Sequence, residues 1–598
     1  MNDGAFSDLV DVLERSVRKF SESDLFGTKK DGQWEWITYG EFGRRVDYLR
    51  GGLASLGVTA GDTVAIIAAN RVEWAIAAYA TYGLGARFCP MYEHQHEDDW
   101  RYILDDSGAK VVLTSTHPIF ETVRAWIDEM ADLEHVATMS LPDEDELSLG
   151  HLEAVGKEQP VPNAELSGDM ICGFIYTSGT TGKPKGVLLS HDNICSNLNA
   201  VSAIFPIDKR DVSVSFLPWA HSFGQTCELH MMLSRGAAMA IAESVEKLID
   251  NFAEVRPTVL FAVPRIFIKI YDGLQKKIAE EGGVKKVLFG AALKNEARRA
   301  ELSATGRKSS WADTKHNVFD KLVFSKVRER FGGRLRYAVS GGAALPTEVA
   351  EFIDHLGIFV CEGYGLTETS PIVSCNHPGA RRIGSVGRPI EGVEVTIDAS
   401  VAEDPESVDG EIVVRGANVM MGYHGLPDAT AEVIEKNGAF RTGDLGRLDH
   451  DGYLYITGRV KEQYKLQNGK YVVPAPLEDL LQLSPFVLQA FVHGANQPYN
   501  VALLVPDRAA LEGWARQNGL GGKDYSELLK EEKVRKLFTD EVANASGSFK
   551  GYERIRSFDL VEEEFSVANG LLTPKMSLKR QIAGQRFENL LNALHEAN

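Results

Sequence analysis

The sequence predicts an α/β protein, with a large N-terminal region and a smaller α+β region at its C-terminal end. Three observations carry this. Short, wholly apolar runs alternate with helical periodicity through the first 150 residues. The same alternation returns at Thr258–Val263 and Leu335–Val339, and after Gly410 the texture changes to short strands bounded by turn residues. Apolar runs spaced by helices describe a largely parallel sheet buried on both faces.

The elements follow in order. Phe42, Val46, Leu49, Leu53 and Leu56 lie on one helical face, and Thr38 with Glu41 forms a capping box ahead of it. Val64–Ala69 is a buried strand opened by Gly61-Asp62, Trp74–Leu84 an apolar helix, and Val111–Thr114 another strand. Arg265–Leu335 is rich in Lys, Arg, Glu and Ala and predicts helices, either as a solvated excursion or as a cover over a substrate pocket. Glu411–Arg415 and Gly452–Ile456 are short strands around the turn Asp449–Gly452. Val487–His493 and Val501–Val505 are strands of a small α+β unit that begins near Arg459–Leu466.

The chain has 598 residues, 44 % hydrophobic and 25 % charged, an ordinary globular composition. At about 150 residues per domain this allows about four structural units, packed as two functional domains. The net charge of −20 argues against a duplex DNA partner, which needs a basic face. No apolar run reaches the length of a membrane span, and the polar N-terminus lacks the pattern of a secretion signal. Six isolated cysteines, with no Cys-x-x-Cys pair, predict reduced thiols and a cytoplasmic setting.

The strongest motif is Tyr176–Gly186, reading Tyr-Thr-Ser-Gly-Thr-Thr-Gly-Lys-Pro-Lys-Gly between the apolar runs Met170–Ile175 and Val187–Leu189. Glycines let backbone approach an anion, hydroxyls donate hydrogen bonds and two lysines supply charge, so the loop suits a phosphate. It is not a Walker A loop, because Lys183 is followed by Pro184. The second motif is Glu362-Gly-Tyr-Gly-Leu-Thr-Glu-Thr369. Tyr364 suits stacking on a base, Thr367 a phosphate contact and Glu368 a Mg²⁺ ion, and the alternative is a glycine turn before a capped helix. The third is Arg441-Thr-Gly-Asp444, followed by Gly458-Arg-Val-Lys461. Asp444 suits a ribose diol and Arg459 adds a positive partner.

These motifs, in this order, resemble the adenylate-forming (AMP-binding) superfamily over nearly the whole chain. Within it the chain is most similar to long-chain fatty acid–CoA ligases, through Val263–Phe267 and the helices after it, Ser340–Ala343, Asn468–Val472 and Asn569–Pro574. The resemblance implies a large multi-sheet N-terminal adenylation domain (1–458) and a small mobile α+β C-terminal domain (459–598). It implies ATP-dependent activation of a long-chain fatty acid to acyl-AMP, then transfer to coenzyme A. Thr177, Ser178, Gly179, Thr180, Thr181, Gly182, Lys183 and Lys185 would hold the ATP phosphates. Gly341, Gly342, Ala343, Glu362, Gly363, Tyr364 and Gly365 would surround the adenine. Thr367 would meet the α-phosphate, Thr177 and Glu368 the Mg²⁺, and Asp444 and Arg459 the ribose. His221 matches a position beside the acyl carboxylate, with Trp219 and Phe223 as candidate channel walls, and Lys461 matches the hinge between the two half-reactions.

One departure from the family pattern stands near the C-terminus. The lysine that would bridge carboxylate and α-phosphate is replaced by Ser577, with Lys575 two residues earlier and Lys579 two later. In an extended segment, residues two apart lie about 6.6 Å apart on the same side. Lys575 has the better claim, because Lys579 leads into a helix-like run. Two other readings remain at this stage: an adenylating enzyme with another acid or acceptor, such as an aryl acid or an acyl-carrier protein, and a nucleotide-binding pseudoenzyme. The expected partners are small molecules, with no nucleic acid and at most peripheral membrane contact, in a monomer or homodimer.

Overall fold

The computed structural model describes residues 4–177, 183–304, 307, 309–401, 409–547, 549–573 and 578–596. Two compact units emerge. One comprises Met1–Val395, Val414–Phe440 and His450–Leu454, and the other Thr396–Val413, Arg441–Asp449 and Tyr455–Asn598.

The first unit is built on three sheets. The largest has seven strands in the order Gly422–Tyr423, Lys185–Ser190, Ile171–Thr177, Arg87–Met91, Thr63–Ile67, Ala109–Thr114 and His135–Thr138. Its central strands pair in parallel. Val64 and Ile66 join one hydrophobic core while Ala65 and Ile67 join a second. Both faces are therefore covered, which is why the strand reads as an unbroken apolar run. The second sheet runs Val259–Ala262, Tyr337–Ser340, Phe359–Gly365, Ile372–Cys375 and Arg388–Pro389. A third, of four strands, combines Asp24–Lys30 and Gln33–Thr38 with Val212–Ser215 and Ala238–Ile241.

Local chemistry explains the helices around them. Helix Tyr39–Ser55 starts where the Thr38 side chain accepts the Glu41 amide at 3.2 Å. Phe42, Val46, Leu49 and Leu53 are fully buried, as the spacing predicts, while Leu56 is only half-buried because the helix has ended. Gly51 and Gly52 let this helix touch helix Leu149–Glu158, where a Cβ on Gly156 would run into the Tyr48 carbonyl. Helix Val72–Gly83 is buried on all sides, as its apolar composition requires. Arg265–Leu335 is helical as expected, with helices Pro264–Glu281, Gly283–Ala304 and Ser310–Phe319.

The second unit holds a three-stranded sheet of Val487–His493, Asn500–Pro506 and Ile555–Leu560. Ala502 and Leu504 enter one core, and Val501, Leu503 and Val505 the other. Helices Ala475–Leu481, Glu532–Ser546 and Glu588–Glu596 cover the two faces. Arg580 is ion-paired to the buried Glu478 and, at 3.4 Å, to Glu462. Most of a further four-stranded sheet also belongs here: Val393–Asp398, Gly410–Gly416, Phe440–Leu448 and Leu454–Arg459.

Candidate active site

In the first unit the phosphate-type loop joins the antiparallel strands Ile171–Thr177 and Lys185–Ser190, with Thr177 paired opposite Lys185. Ser178, Gly179, Thr180, Thr181 and Gly182 lie outside the described residues. Both flanking lysines rest on aromatic rings: the Lys183 ammonium is 4.7 Å from the Tyr102 ring centre and Lys185 is 4.8 Å from that of Tyr423. The Tyr176 hydroxyl donates to Asp106 at 2.7 Å, fixing the strand that leads into the loop.

The second motif sits on strand Phe359–Gly365, which pairs in parallel with Tyr337–Ser340 so that Ser340 lies opposite Glu362. Gly341, Gly342 and Ala343 therefore emerge beside Gly363, Tyr364 and Gly365, at the carboxyl ends of neighbouring parallel strands. Ligands of open α/β sheets bind in that position. Gly342 has φ +84°, open to glycine, and a Cβ on Gly365 would strike the Pro371 carbonyl. Glu362 is buried, and its carboxyl is pushed up to about 7 by burial, opposed by hydrogen bonds from the Leu345 and Gly384 amides. Those bonds tie Glu362 to the loops flanking the site. Tyr364 is half-buried.

Thr367 and Glu368 follow in a short 3₁₀ turn. The Thr367 hydroxyl lies 3.2 Å from that of Ser222, which joins this turn to the Leu217–Phe223 segment. His221 is half-buried in that segment, its Nδ1 accepting the Phe223 amide at 3.2 Å. Phe223 faces Gly341, where a Cβ would come within 3.2 Å of its ring. Trp219 is fully buried, stacked edge-on against Trp74 and tilted against Phe26, and its indole donates to Ser215 at 2.9 Å. Its surface is spent on core contacts. Beyond Phe223 the backbone forms a π-helix, Phe223–His230, whose buried Glu228 accepts hydrogen bonds from Ser213 and Ser215. Such bulges concentrate at functional sites.

Sequence reasoning missed Tyr423, whose hydroxyl donates to Glu368 Oε1 at 3.0 Å. The only linear signal was its place in Gly422-Tyr-His-Gly425. It also missed Ser222, although that residue adjoins His221 within a segment already singled out.

In the second unit Asp444 and Arg459 stand on adjacent strands. The Arg459 Nε approaches Asp444 Oδ1 to 3.1 Å, Asp444 being buried and the Arg459 side chain 55 % exposed. Gly443 has φ +73° and its amide donates to Glu411 at 3.0 Å, while Arg441 is paired with Glu411 and Asp398. Lys461 is exposed in a turn between strands Leu454–Arg459 and Tyr464–Lys465, where the Glu462 and Gln463 amides donate to the Arg459 carbonyl. Lys575 and Ser577 lie outside the described residues. The Lys579 amide donates to Leu571 at 2.8 Å, just before helix Arg580–Arg586.

Among the described residues no group of three His, Cys, Asp or Glu side chains is placed to hold a metal, and no helix is long and apolar enough to cross a membrane. All six cysteines are free and buried.

Residues 13–424 match the AMP-binding enzyme model, and 461–598 match the AMP-binding enzyme C-terminal domain. The chain belongs to the AMP-binding enzyme family. It is 33 % identical over 575 residues to Long-chain-fatty-acid–CoA ligase FadD15 of Mycobacterium tuberculosis, covering 94 % of this chain and 93 % of that protein. It is 31 % identical to Long-chain-fatty-acid–CoA ligase 5 of Rattus norvegicus, covering 99 % of this chain and 89 % of that one. In fold it matches the adenylation domain of a carboxylate reductase from Mycobacterium chelonae, with a TM-score of 0.79, 23 % identity and coverage of 99 % and 92 %. It also matches the anthranilate CoA ligase AuaEII in complex with anthranoyl-AMP, with a TM-score of 0.74, 21 % identity and 99 % coverage of both chains. The family and the α/β architecture expected from the motifs are thus the observed ones.

Proposed function

We propose that the protein activates a long-chain fatty acid with ATP and transfers the acyl group to coenzyme A. The observation that carries this reading is the near full-length similarity to long-chain-fatty-acid–CoA ligases. The grouping of Ser222, Thr367, Glu368 and Tyr423 beside the glycine-rich strand ends supports it.

A carboxylate is a poor electrophile, so the first step makes it one. The acid's oxygen attacks the α-phosphorus, the bond to the β-phosphate oxygen breaks, and pyrophosphate leaves with the electron pair. The residues face a charge problem, since two anions must meet. Lys183 and Lys185 flank the loop with their ammonium groups held over the Tyr102 and Tyr423 rings, which fixes where their charge sits. Thr367, hydrogen-bonded to Ser222, is placed to orient a phosphate oxygen next to the His221 segment. The hard oxygen donors Glu368 and Thr177 fit Mg²⁺ carried largely by the triphosphate itself. When bound, that ion neutralises phosphate charge. Asp444 would accept the ribose hydroxyls with Arg459 beside it.

In the second step the thiol sulfur attacks the acyl carbonyl, the bond to AMP breaks and the thiol proton is released. One geometry serves both steps poorly. We assign residues 459–598 to a domain that reorients about Lys461 between them. Lys575 is proposed to supply charge during adenylation.

Pyrophosphate release measured over a panel of acids, with and without coenzyme A, tests the reading. Long-chain fatty acids should support release, and coenzyme A should give sustained turnover and acyl-CoA. Preference for aryl acids, release unaffected by coenzyme A, or nucleotide binding without release would each overturn it.

A further inference from the structure

The helical segment from Pro264 to Arg334 carries 17 Lys and Arg against 8 Asp and Glu, within a chain of net charge −20. It also presents four of the large apolar side chains that are exposed among the described residues: Val287, Trp311, Val318 and Leu322. Trp311 is 66 % exposed. Isolated exposed apolar residues are ordinary, but Trp311, Val318 and Leu322 are not scattered. Trp311, Lys315, Val318 and Leu322 recur at intervals of four, three and four residues through helix Ser310–Phe319 and the π turn Asp320–Phe324. That spacing sets them along one side of a continuous helical run. Ala312 and Phe324 are buried on its other side.

Charge on the run is equally sorted. Its two acids are engaged: Asp313 with Arg299 at 3.1 Å and Asp320 with Arg328 at 2.7 Å. Lys315 lies over the Trp311 ring at 5.0 Å, and the exposed Lys321 adjoins Leu322. The outer side therefore combines an indole, two aliphatic side chains and two lysines. Tryptophan favours the headgroup level of a bilayer, aliphatic side chains enter its outer hydrocarbon, and lysines meet anionic headgroups.

We propose that the face formed by Trp311, Lys315, Val318, Lys321 and Leu322 docks the protein on an anionic bilayer surface. The local positive excess on an acidic protein selects a negatively charged partner, and the apolar side chains select one with a hydrocarbon interior. Long-chain acids partition into such bilayers, so the face would place the enzyme at its substrate. That benefit rests on the function proposed above, whereas the binding itself does not and is measured separately.

The test is co-sedimentation of the full-length protein with vesicles of phosphatidylcholine alone or mixed with phosphatidylglycerol, at low and high salt. The wild type should bind the phosphatidylglycerol vesicles and be released by salt. Trp311→Ser/Val318→Ser/Leu322→Ser and Lys315→Glu/Lys321→Glu should each lower the partition coefficient by at least about tenfold. Both variants should retain normal adenylation of a fatty acid presented on cyclodextrin. Variants that bind like the wild type, or a wild type that binds neither vesicle, would overturn the proposal. So would a wild-type dimer that the apolar triple variant converts to monomer without any vesicle binding, because the face would then meet a second copy.

Discussion

The Tyr423 hydroxyl donates a hydrogen bond to Oε1 of Glu368 at 3.0 Å, and the same ring carries the Lys185 ammonium 4.8 Å from its centre. One aromatic side chain thus links the carboxylate of one motif to a lysine of another. Burial, reinforced by the neighbouring Glu368, raises the Tyr423 phenol well above its ordinary value, so it remains a donor at all working pH.

Glu368→Gln should lower pyrophosphate release at least about 100-fold, the scale of losing a Mg²⁺ ligand at a triphosphate. Tyr423→Phe keeps the ring under Lys185 and removes only the donated hydrogen bond. It should cost about tenfold and raise the Mg²⁺ concentration needed for half-maximal rate. Near-normal release by Glu368→Gln would remove Glu368 from the metal site.

The Asp444–Arg459 pair separates binding from stability. Arg459 is half-exposed, so the ion pair itself contributes little, at most about 1 kcal/mol. Asp444→Asn should therefore leave the melting temperature nearly unchanged while raising the KM for ATP about tenfold, through the lost charge-assisted bonds to the ribose. A large fall in melting temperature with an unchanged KM would make the pair structural.

Glu228 gives a pH signature. Its carboxyl is pushed up to about 7 from an ordinary 4.5 by burial, which outweighs the opposing hydrogen bonds from Ser213 and Ser215. A raised acid holds its proton more tightly in the folded state. Its stabilising effect is full below about pH 4.5 and is lost as pH rises through about 7. Glu228→Gln cannot ionise, so the wild type should lose about 3 kcal/mol more than the variant between pH 4.5 and 8. Thermal unfolding of both proteins across that range checks this. Parallel curves would show that Glu228 does not titrate there.

What was legible in the sequence was what local periodicity and spacing encode. Val64–Ile67 could be read because both faces of its strand are buried, and the Tyr39–Ser55 helix because its cap and apolar face lie within one stretch of chain. The contacts that organise the site were not legible. Ser222 and Thr367 are 145 residues apart, and Tyr423 and Glu368 are 55 apart. No periodicity connects such pairs, and only the sheet order brings them together. The π-helix at Phe223–His230 also escaped, because its sequence, Phe-Gly-Gln-Thr-Cys-Glu-Leu-His, carries no local mark that separates it from an α-helix. Trp219 was read as a candidate channel wall, and its packing against Trp74 and Phe26 was not deducible from composition.

Lys461→Pro should divide the two half-reactions. Lys461 lies in a turn between two strands, where backbone rotation disrupts no ladder. Proline would fix φ near −65° and restrict Val460. Adenylation should survive while thioester formation from preformed acyl-adenylate falls at least about tenfold, as expected when a required domain step is blocked. Equal losses in both steps would place the pivot elsewhere.

The lysine that serves adenylation from the C-terminal domain is the last assignment to test. Ser577 occupies the position where the family pattern has lysine, leaving Lys575 and Lys579 as the nearest cations. Lys579 is constrained by its surroundings. Its amide donates to the Leu571 carbonyl at 2.8 Å, and it leads directly into helix Arg580–Arg586. Arg580 is in turn held by the buried Glu478 and by Glu462. Moving Lys579 toward a ligand would pull on that anchored helix start, and the ion pair to a buried carboxylate is costly to break. Lys575 lies outside the described residues, and we assign the role to it. Lys575→Ala should slow adenylation about 100-fold, the scale of removing one positioned electrostatic donor. It should leave the conversion of preformed acyl-adenylate to thioester nearly intact, since no pyrophosphate leaves in that step. Lys579→Ala should change either step by less than about threefold, the range of a partly exposed charge with no role in the chemistry. The reverse pattern, with Lys579→Ala adenylating slowly and Lys575→Ala normally, would give the role to Lys579 and shift the register of the segment by four residues.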